Sequence, residues 1–560
     1  MNESPSTVEH AGEIAKLVEA MSQPGGVSLT FEGRDAPPLS ILLVDVIEDH
    51  QLVLDISAAP DIAGALTAEH PFRLTGQAHG AMVSTPPLTA LPLNDMPGRL
   101  RFSCPYPQSL EVWHRRNAFR AELGSGMPVV VEMEIDAEHA PIRGELANLS
   151  LGGCLVQLPL NRAAELKAGQ VLARLEAIFP SGQRLTAQSS VRHVRLDDRE
   201  QRALVGCEFG MATPKFERWV WYLVKEIERE GARKSAQGAS SLSPSPLFQA
   251  PPATASEEPP ARRLRADYAT PMARRLAKVA DFLNAQLLKL QQGEAVDSTQ
   301  LSRYSDVLLG LLEEDREALL FASVCLHHEP KLVQHGLAVA IRLADMAQAR
   351  KAPRELLKAI VASAMVHDLG KALLDDTLRD STDFTAEQRE RLAMHVPLLR
   401  ERMQGCRWLS PQVARSVIGE INERLDGSGY PAGLRAEGRT ELSRMAMVVD
   451  VVDAMLRPRA DRPARSIEDA YRHLLGRPGT FGSEWVQRYI RHFGRYPIGS
   501  LVRFSSGAQG WIQRLADNGQ PSQVAVISPT PQLRLAGEIA TLGAIEEIIR
   551  APSPELLPRQ

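Results

Sequence analysis

The chain carries several groups of side chains suited to chemistry on anions and metals. His114-Arg115-Arg116-Asn117-Ala118-Phe119-Arg120 puts three guanidiniums within six residues. Planar guanidinium forks hold phosphate oxygens bidentately and also donate to O6 and N7 of guanine. Farther on, Asn148-Leu149-Ser150-Leu151-Gly152-Gly153 offers an amide, a hydroxyl and two glycines where a strand begins. Such a turn allows close backbone approach to a ligand. A second constellation comprises His335, the doublet His367-Asp368 followed by Leu369-Gly370-Lys371, then His395 and Asp450. Asp450 lies in Met445-Ala446-Met447-Val448-Val449-Asp450-Val451-Val452, apolar on all sides, where an ionised carboxylate costs several kcal/mol unless paired or metal-bound. Two imidazoles and two carboxylates make a nitrogen and oxygen site for divalent iron, manganese or zinc, able to acidify a bound water for attack on phosphorus.

The elements that must position these groups fall into two halves. Short apolar runs with turns between them (Val27 to Phe31, Ile41 to Ile47, Leu52 to Ile56) predict a first β domain over residues 1–109. Runs from Val129, Gly153, Val171 and Ala203 predict a second, barrel-like β domain over 110–232. It closes with a helix on which Phe216, Trp219, Val220, Leu223, Val224 and Ile227 share one face. Residues 233–265 are rich in Pro, Ser and Ala and predict a flexible linker. Helical periodicity then dominates 266–478, with Pro353 starting one helix. Residues 479–560 return to β character and are expected to end in a helix.

With 64 Lys+Arg against 68 Asp+Glu, the formal net charge of -4 excludes the broad cationic field of a DNA- or RNA-binding protein. Five cysteines, Cys104, Cys154, Cys207, Cys325 and Cys406, are scattered singly, which suits a reducing cytoplasm. No signal peptide and no membrane-inserting stretch is expected, because no apolar run approaches the ~18 residues of a span.

Arg116 to Arg120 fits RxxxR, and Asn148 to Gly153 fits [DN]xSxxG. In this order they resemble the signature of the PilZ domain. That resemblance implies binding of cyclic di-GMP through Arg116, Arg120, Asn148, Ser150 and Gly153, with Arg115 assisting. The preceding domain, ending in Arg-Leu-Arg-Phe-Ser-Cys-Pro-Tyr-Pro, is similar to the N-terminal domain of YcgR-like flagellar brake proteins. This implies the flagellar motor or other signalling proteins as partners.

In the helical half, the order His, His-Asp, Asp resembles the HD phosphohydrolase superfamily. Asp426-Gly427-Ser428-Gly429-Tyr430-Pro431 resembles the loop of the HD-GYP cyclic di-GMP phosphodiesterases. The resemblance implies that His335, His367, Asp368 and Asp450 hold one metal, that Asp368 and His395 belong to a second position, and that Lys371 contacts phosphate. The family's His-His pair before the loop is replaced by Ile421-Asn422, neither of which suits a transition metal. One tightly bound ion per chain is therefore expected. Three functions follow: slow hydrolysis of cyclic di-GMP to pGpG or GMP under control of the PilZ domain, an inactive receptor governing motility or surface behaviour, or a mononuclear phosphohydrolase of another nucleotide.

Overall fold

The computed structural model describes residues 6–550 apart from 23–26, 33–38, 48–49, 58, 79–80, 94–98, 114–119, 125, 137–139, 198–201, 211–212, 236–242, 250–267, 375–384, 459–462, 528–531 and 536–538. The chain divides into two compact units, Met1–Arg120 and Ala121–Gln560.

The first unit is built on a nine-stranded antiparallel sheet. Its strands include Val27–Phe31, Leu39–Ile47 and Gln51–Asp55, where the alternating apolar runs lie. Leu29, Leu54, Phe72, Val83 and Leu110 fill its core, which the helix Ala11–Met21 covers with Ile14 and Val18. The strand Leu110–Trp113 pairs with Ser6–Val8 and Ala81–Ser84, so the residues just past 109 complete the first sheet.

The second unit opens with a seven-stranded sheet that closes on itself, because Ile142–Ser150 pairs both with Val130–Glu134 and with Gly153–Pro159. Helix Pro214–Ser235 caps this barrel with Val220, Leu223, Val224 and Ile227, all from the predicted face. The expectation of a linker without core contacts across 233–265 is corrected at Ser245 to Phe248. Ser245 donates from its backbone to Glu230 at 2.9 Å and from its hydroxyl to Glu226 at 2.7 Å. Leu247 enters the barrel core, and its carbonyl accepts from Ser181 N at 3.0 Å. Two apolar residues, Leu247 and Phe248, suffice to pin a Pro/Ser-rich stretch because the helix supplies two carboxylates to an otherwise solvated serine.

The helical half is organised around one large core fed by Pro271–Gln291, Ser298–Glu314, Lys331–Ala349, Arg354–Val366 and Glu441–Leu456. Leu288 of the first of these helices is fully buried in the barrel's core rather than the helical one. Gln292 donates to Val194 O at 2.9 Å and Asn161 to His328 O at 3.1 Å, so barrel and helices share hydrogen bonds as well as apolar contact.

Helix Ser483–Phe493 places Trp485, Val486, Tyr489 and Phe493 in the helical core, which therefore continues beyond residue 478. A five-stranded sheet follows. Its last member, Ile545–Ile548, falls where a helix was expected. The reason is long-range: these residues pair with Leu501–Phe504, whose edge supplies the hydrogen bonds that four residues cannot supply as a helix. Among the described residues no helix is long and apolar enough to cross a membrane.

Candidate metal centre

Two glycines determine where the histidines meet. A Cβ at Gly336 would lie 2.6 Å from Met365 O, so helices Lys331–Ala349 and Arg354–Val366 approach with nothing between them. This brings the rings of His335 and His367 to 5.2 Å between centroids. A Cβ at Gly370 would lie 2.2 Å from His395 O, which lets the turn after Asp368 press against the start of helix His395–Arg402. Asp450 arrives from helix Glu441–Leu456.

The result is a buried cluster. His367 and His395 are fully inaccessible, and His335, Asp368 and Asp450 are nearly so. Ligand atoms of His335, His367 and Asp368 all lie within 4.8 Å of one another. His367 Nε2 is 3.4 Å from Asp450 Oδ1 and 3.7 Å from Asp368 Oδ1, while His395 Nε2 is 3.5 Å from Asp368 Oδ1.

The protonation of these rings is set from behind. Nδ1 of His367 donates to Ala364 O at 2.7 Å, and Nδ1 of His395 donates to Leu392 O at 2.8 Å. With Nδ1 as the donor, Nε2 of each ring faces carboxylate oxygens at 3.4 to 3.7 Å, longer than an ordinary hydrogen bond. His367 Nε2, His395 Nε2 and Asp368 Oδ1 are buried without a hydrogen-bond partner. Buried polar atoms are rarely left so, and lone pairs aimed at one another are the arrangement a cation satisfies. The donor set thus fits a divalent metal.

The electrostatics follow from crowding. Burial favours the neutral form of every group here, yet the hydrogen bonds to Asp450 and Asp453 outweigh it and push His335 up to about 9. Burial likewise opposes the charge on Asp368, but Lys371 and the neighbouring histidines hold its carboxyl well below the usual range. Lys371 is drawn onto the Asp368 carboxylate instead of standing in solvent. The same surroundings raise Tyr430, chiefly through burial.

The glycine-tyrosine-proline loop is held from beneath. Both oxygens of the buried Glu423 accept backbone N–H groups, from Ala432 at 2.7 Å and Leu434 at 2.8 Å. Asp426 accepts from Ser428 N at 2.9 Å and from the Thr480 hydroxyl at 2.7 Å, so its carboxylate staples the loop. Gly427 has φ of 85°, and a Cβ at Gly429 would lie 2.3 Å from Arg424 N. Tyr430-Pro431 is a cis peptide, and the Tyr430 ring stands edge-on to His395 at 5.9 Å. Of the loop residues, Tyr430 is the one brought against the cluster.

Ile421 is fully buried in the helical core. Asn422 is buried, with Nδ2 unpartnered and its backbone carbonyl accepting from Tyr430 N at 3.3 Å. Sequence reasoning missed Asp453, one turn past Asp450, whose Oδ2 lies 2.7 Å from His335 Nδ1. The signal available was a second acid in the same apolar helix. Glu423, the anchor of the loop, was missed as well.

In the barrel, Ser150 donates to Gly153 O at 2.9 Å and Asn148 to Glu122 at 3.2 Å, both side chains buried. A Cβ at Gly153 would lie 2.1 Å from Cys207 O, so this glycine is demanded by strand packing as well. Arg120 begins the strand Arg120–Glu122 and is half-buried. Arg115 and Arg116 lie outside the described residues.

Residues 114–224 match the PilZ domain and residues 320–482 the HD domain. The chain is 27% identical over 237 residues to the cyclic di-GMP phosphodiesterase PA4108 of Pseudomonas aeruginosa, covering 42% of this chain and 56% of that one. It is 26% identical over 137 residues to the flagellar brake protein YcgR of Thioalkalivibrio sulfidiphilus, covering 24% of this chain and 53% of that one. The chain thus spans about half the length of the curated relatives it matches. The crystal structure of YcgR in complex with c-di-GMP from Escherichia coli aligns with 41% of this chain and 95% of its own, at 22% identity and a TM-score of 0.26. The chain therefore joins a segment that matches the PilZ domain to one that matches the HD domain.

Proposed function

We propose that this protein is a cyclic di-GMP signalling protein that binds the nucleotide through its PilZ domain and hydrolyses it slowly, to pGpG or GMP, at the HD centre. Binding is assigned to Arg115, Arg116, Arg120, Asn148, Ser150 and Gly153, whose donors suit a dianionic guanine dinucleotide. The flagellar motor or another signalling protein would receive the output.

The observation that carries the hydrolytic reading is the set of unpartnered buried atoms on His367, His395 and Asp368. His335, His367, Asp368 and Asp450 would hold one divalent iron, manganese or zinc ion. When bound, such an ion supplies charge beside a phosphate and acidifies water. The chain's own contribution is to keep Nε2 of His367 as a lone pair through the Ala364 carbonyl and to exclude solvent by burial. Lys371, paired with Asp368, brings a cation to a phosphate oxygen. Ile421 packs into the core, and Asn422 stands beside it in place of a second imidazole, which supports slow rather than rapid turnover. The same substitution favours the second reading, a receptor without turnover.

The test is conversion of cyclic di-GMP to pGpG and GMP under anaerobic conditions with iron or manganese supplied. Slow turnover abolished by Asp368→Ala and accelerated by the pair Ile421→His and Asn422→His is the expected result. A silent wild type beside an equally silent repaired variant leaves the receptor reading.

A further inference from the structure

Asp453 is the second buried acid of helix Glu441–Leu456, and two arginines converge on it. Arg342 Nη1 donates to its Oδ1 at 3.0 Å, and Arg457 Nε donates to its Oδ2 at 2.6 Å. Arg457 does more than neutralise: its Nη1 and Nη2 donate to the side-chain and backbone oxygens of Gln334 at 3.0 and 3.1 Å. One guanidinium therefore grips both the carboxylate and the residue immediately before His335.

Two cations on one carboxylate keep it an anion, and an anion 2.7 Å from an imidazole nitrogen requires a proton between them. Nδ1 of His335 is thereby the N–H donor. Nε2 points the other way, into the cluster, 3.0 Å from Asp450 Oδ1 and 3.7 Å from Asp368 Oδ2, where an ion would take the place of the proton that Asp450 accepts. His367 and His395 receive the same orientation from backbone carbonyls, which are neutral. His335 is oriented by a charged acceptor, which also makes its Nε2 a stronger donor to a cation.

We propose that Asp453, held by Arg457 and Arg342, is the positioning residue that makes His335 an Nε2 metal ligand. The proposal rests on the reading of the cluster as a metal centre. A merely structural Asp453 would tie helix Glu441–Leu456 to helix Lys331–Ala349 and leave ion affinity untouched once the fold is formed.

Cobalt(II) added to the metal-free full chain, in competition with a chelator and followed by its visible absorption, separates these roles. Asp453→Asn is expected to weaken cobalt binding by about 10- to 100-fold and to change the absorption envelope, because an amide can also donate to Nδ1 and select the wrong tautomer. Asp453→Glu, which restores the charge, is expected to recover part of the affinity and the wild-type envelope. Arg457→Gln is expected to lose several-fold in affinity. Wild-type affinity and spectrum in Asp453→Asn would overturn the proposal, whatever its melting temperature. Should that variant not fold, wild-type affinity in Arg457→Gln would overturn it instead. Failure of the wild type itself to bind cobalt would overturn the metal-centre reading, a distinct result.

Discussion

At the scale of single residues, the centre depends on lone pairs that the fold has aimed inward. Removing Asp450 deletes an oxygen 3.0 Å from His335 Nε2 and 3.4 Å from His367 Nε2. Asp450→Ala is expected to abolish retention of a divalent ion through gel filtration, measured as metal per chain by elemental analysis. His395→Ala should leave one ion bound, since His395 approaches Asp368 alone among the carboxylates of the cluster described here. Two firmly bound ions in the wild type would contradict this assignment. In the barrel, Arg116→Ala is expected to weaken cyclic di-GMP by about tenfold or more, since a hydrogen bond to a charged group contributes roughly 1.5–3 kcal/mol. Calorimetry showing equal affinity would dispose of the PilZ assignment.

At the scale of elements, the meeting of two helices at Gly336 is what makes a pair of distant histidines into neighbours. Gly336→Ala forces a Cβ into Met365 O and must part the helices by several tenths of an ångström. Overpacking of this kind costs about 1–3 kcal/mol, and here it should also lower ion affinity, read by chelator competition on the folded variant. The helix Pro271–Gln291 carries a different liability. Asp281 is pushed up to about 7, first by burial and then by the Glu329 carboxylate. Its unfolded value is the ordinary one near 4, so between the two the folded state holds the extra proton and stability falls as pH rises. Asp281→Asn should remove that slope between about pH 4 and about pH 7 and stabilise the alkaline side by on the order of 1–2 kcal/mol, allowing for solvent at a half-buried group. Parallel melting curves for variant and wild type across this range would refute the assignment.

At the scale of the whole molecule, the barrel and the helical half of the second unit are fastened by exchanged residues. Leu288 leaves the helical bundle to fill the barrel, and Ala164 of the barrel enters the helical core. Leu288→Ala is expected to cost about 2–5 kcal/mol, as buried leucine truncations do. Because the side chain is buried in the barrel's core, protection of barrel amides in hydrogen exchange should fall although the substitution lies in the helical half. A loss confined to helical amides would show that the two parts are energetically separate.

Much of this was open to inspection in the chain itself. Alternating apolar runs specify strands and three- to four-residue spacing specifies helices, because each residue's exposure is fixed by local geometry. The arginine cluster, the His-Asp doublet and the glycine-tyrosine-proline loop announce their chemistry through residue types at short spacing. Tertiary structure decided what depends on distant partners. Asp453 acquires meaning only when His335, 118 residues away, is packed against it. Ser245 and Leu247 leave the solvent only because Glu226, Glu230 and the barrel wait for them. Ile545–Ile548 becomes a strand because an unpaired edge outbids four residues' helical preference. Local pattern sets which face of an element is apolar, whereas the satisfaction of buried charges and backbone edges is a property of the assembled fold.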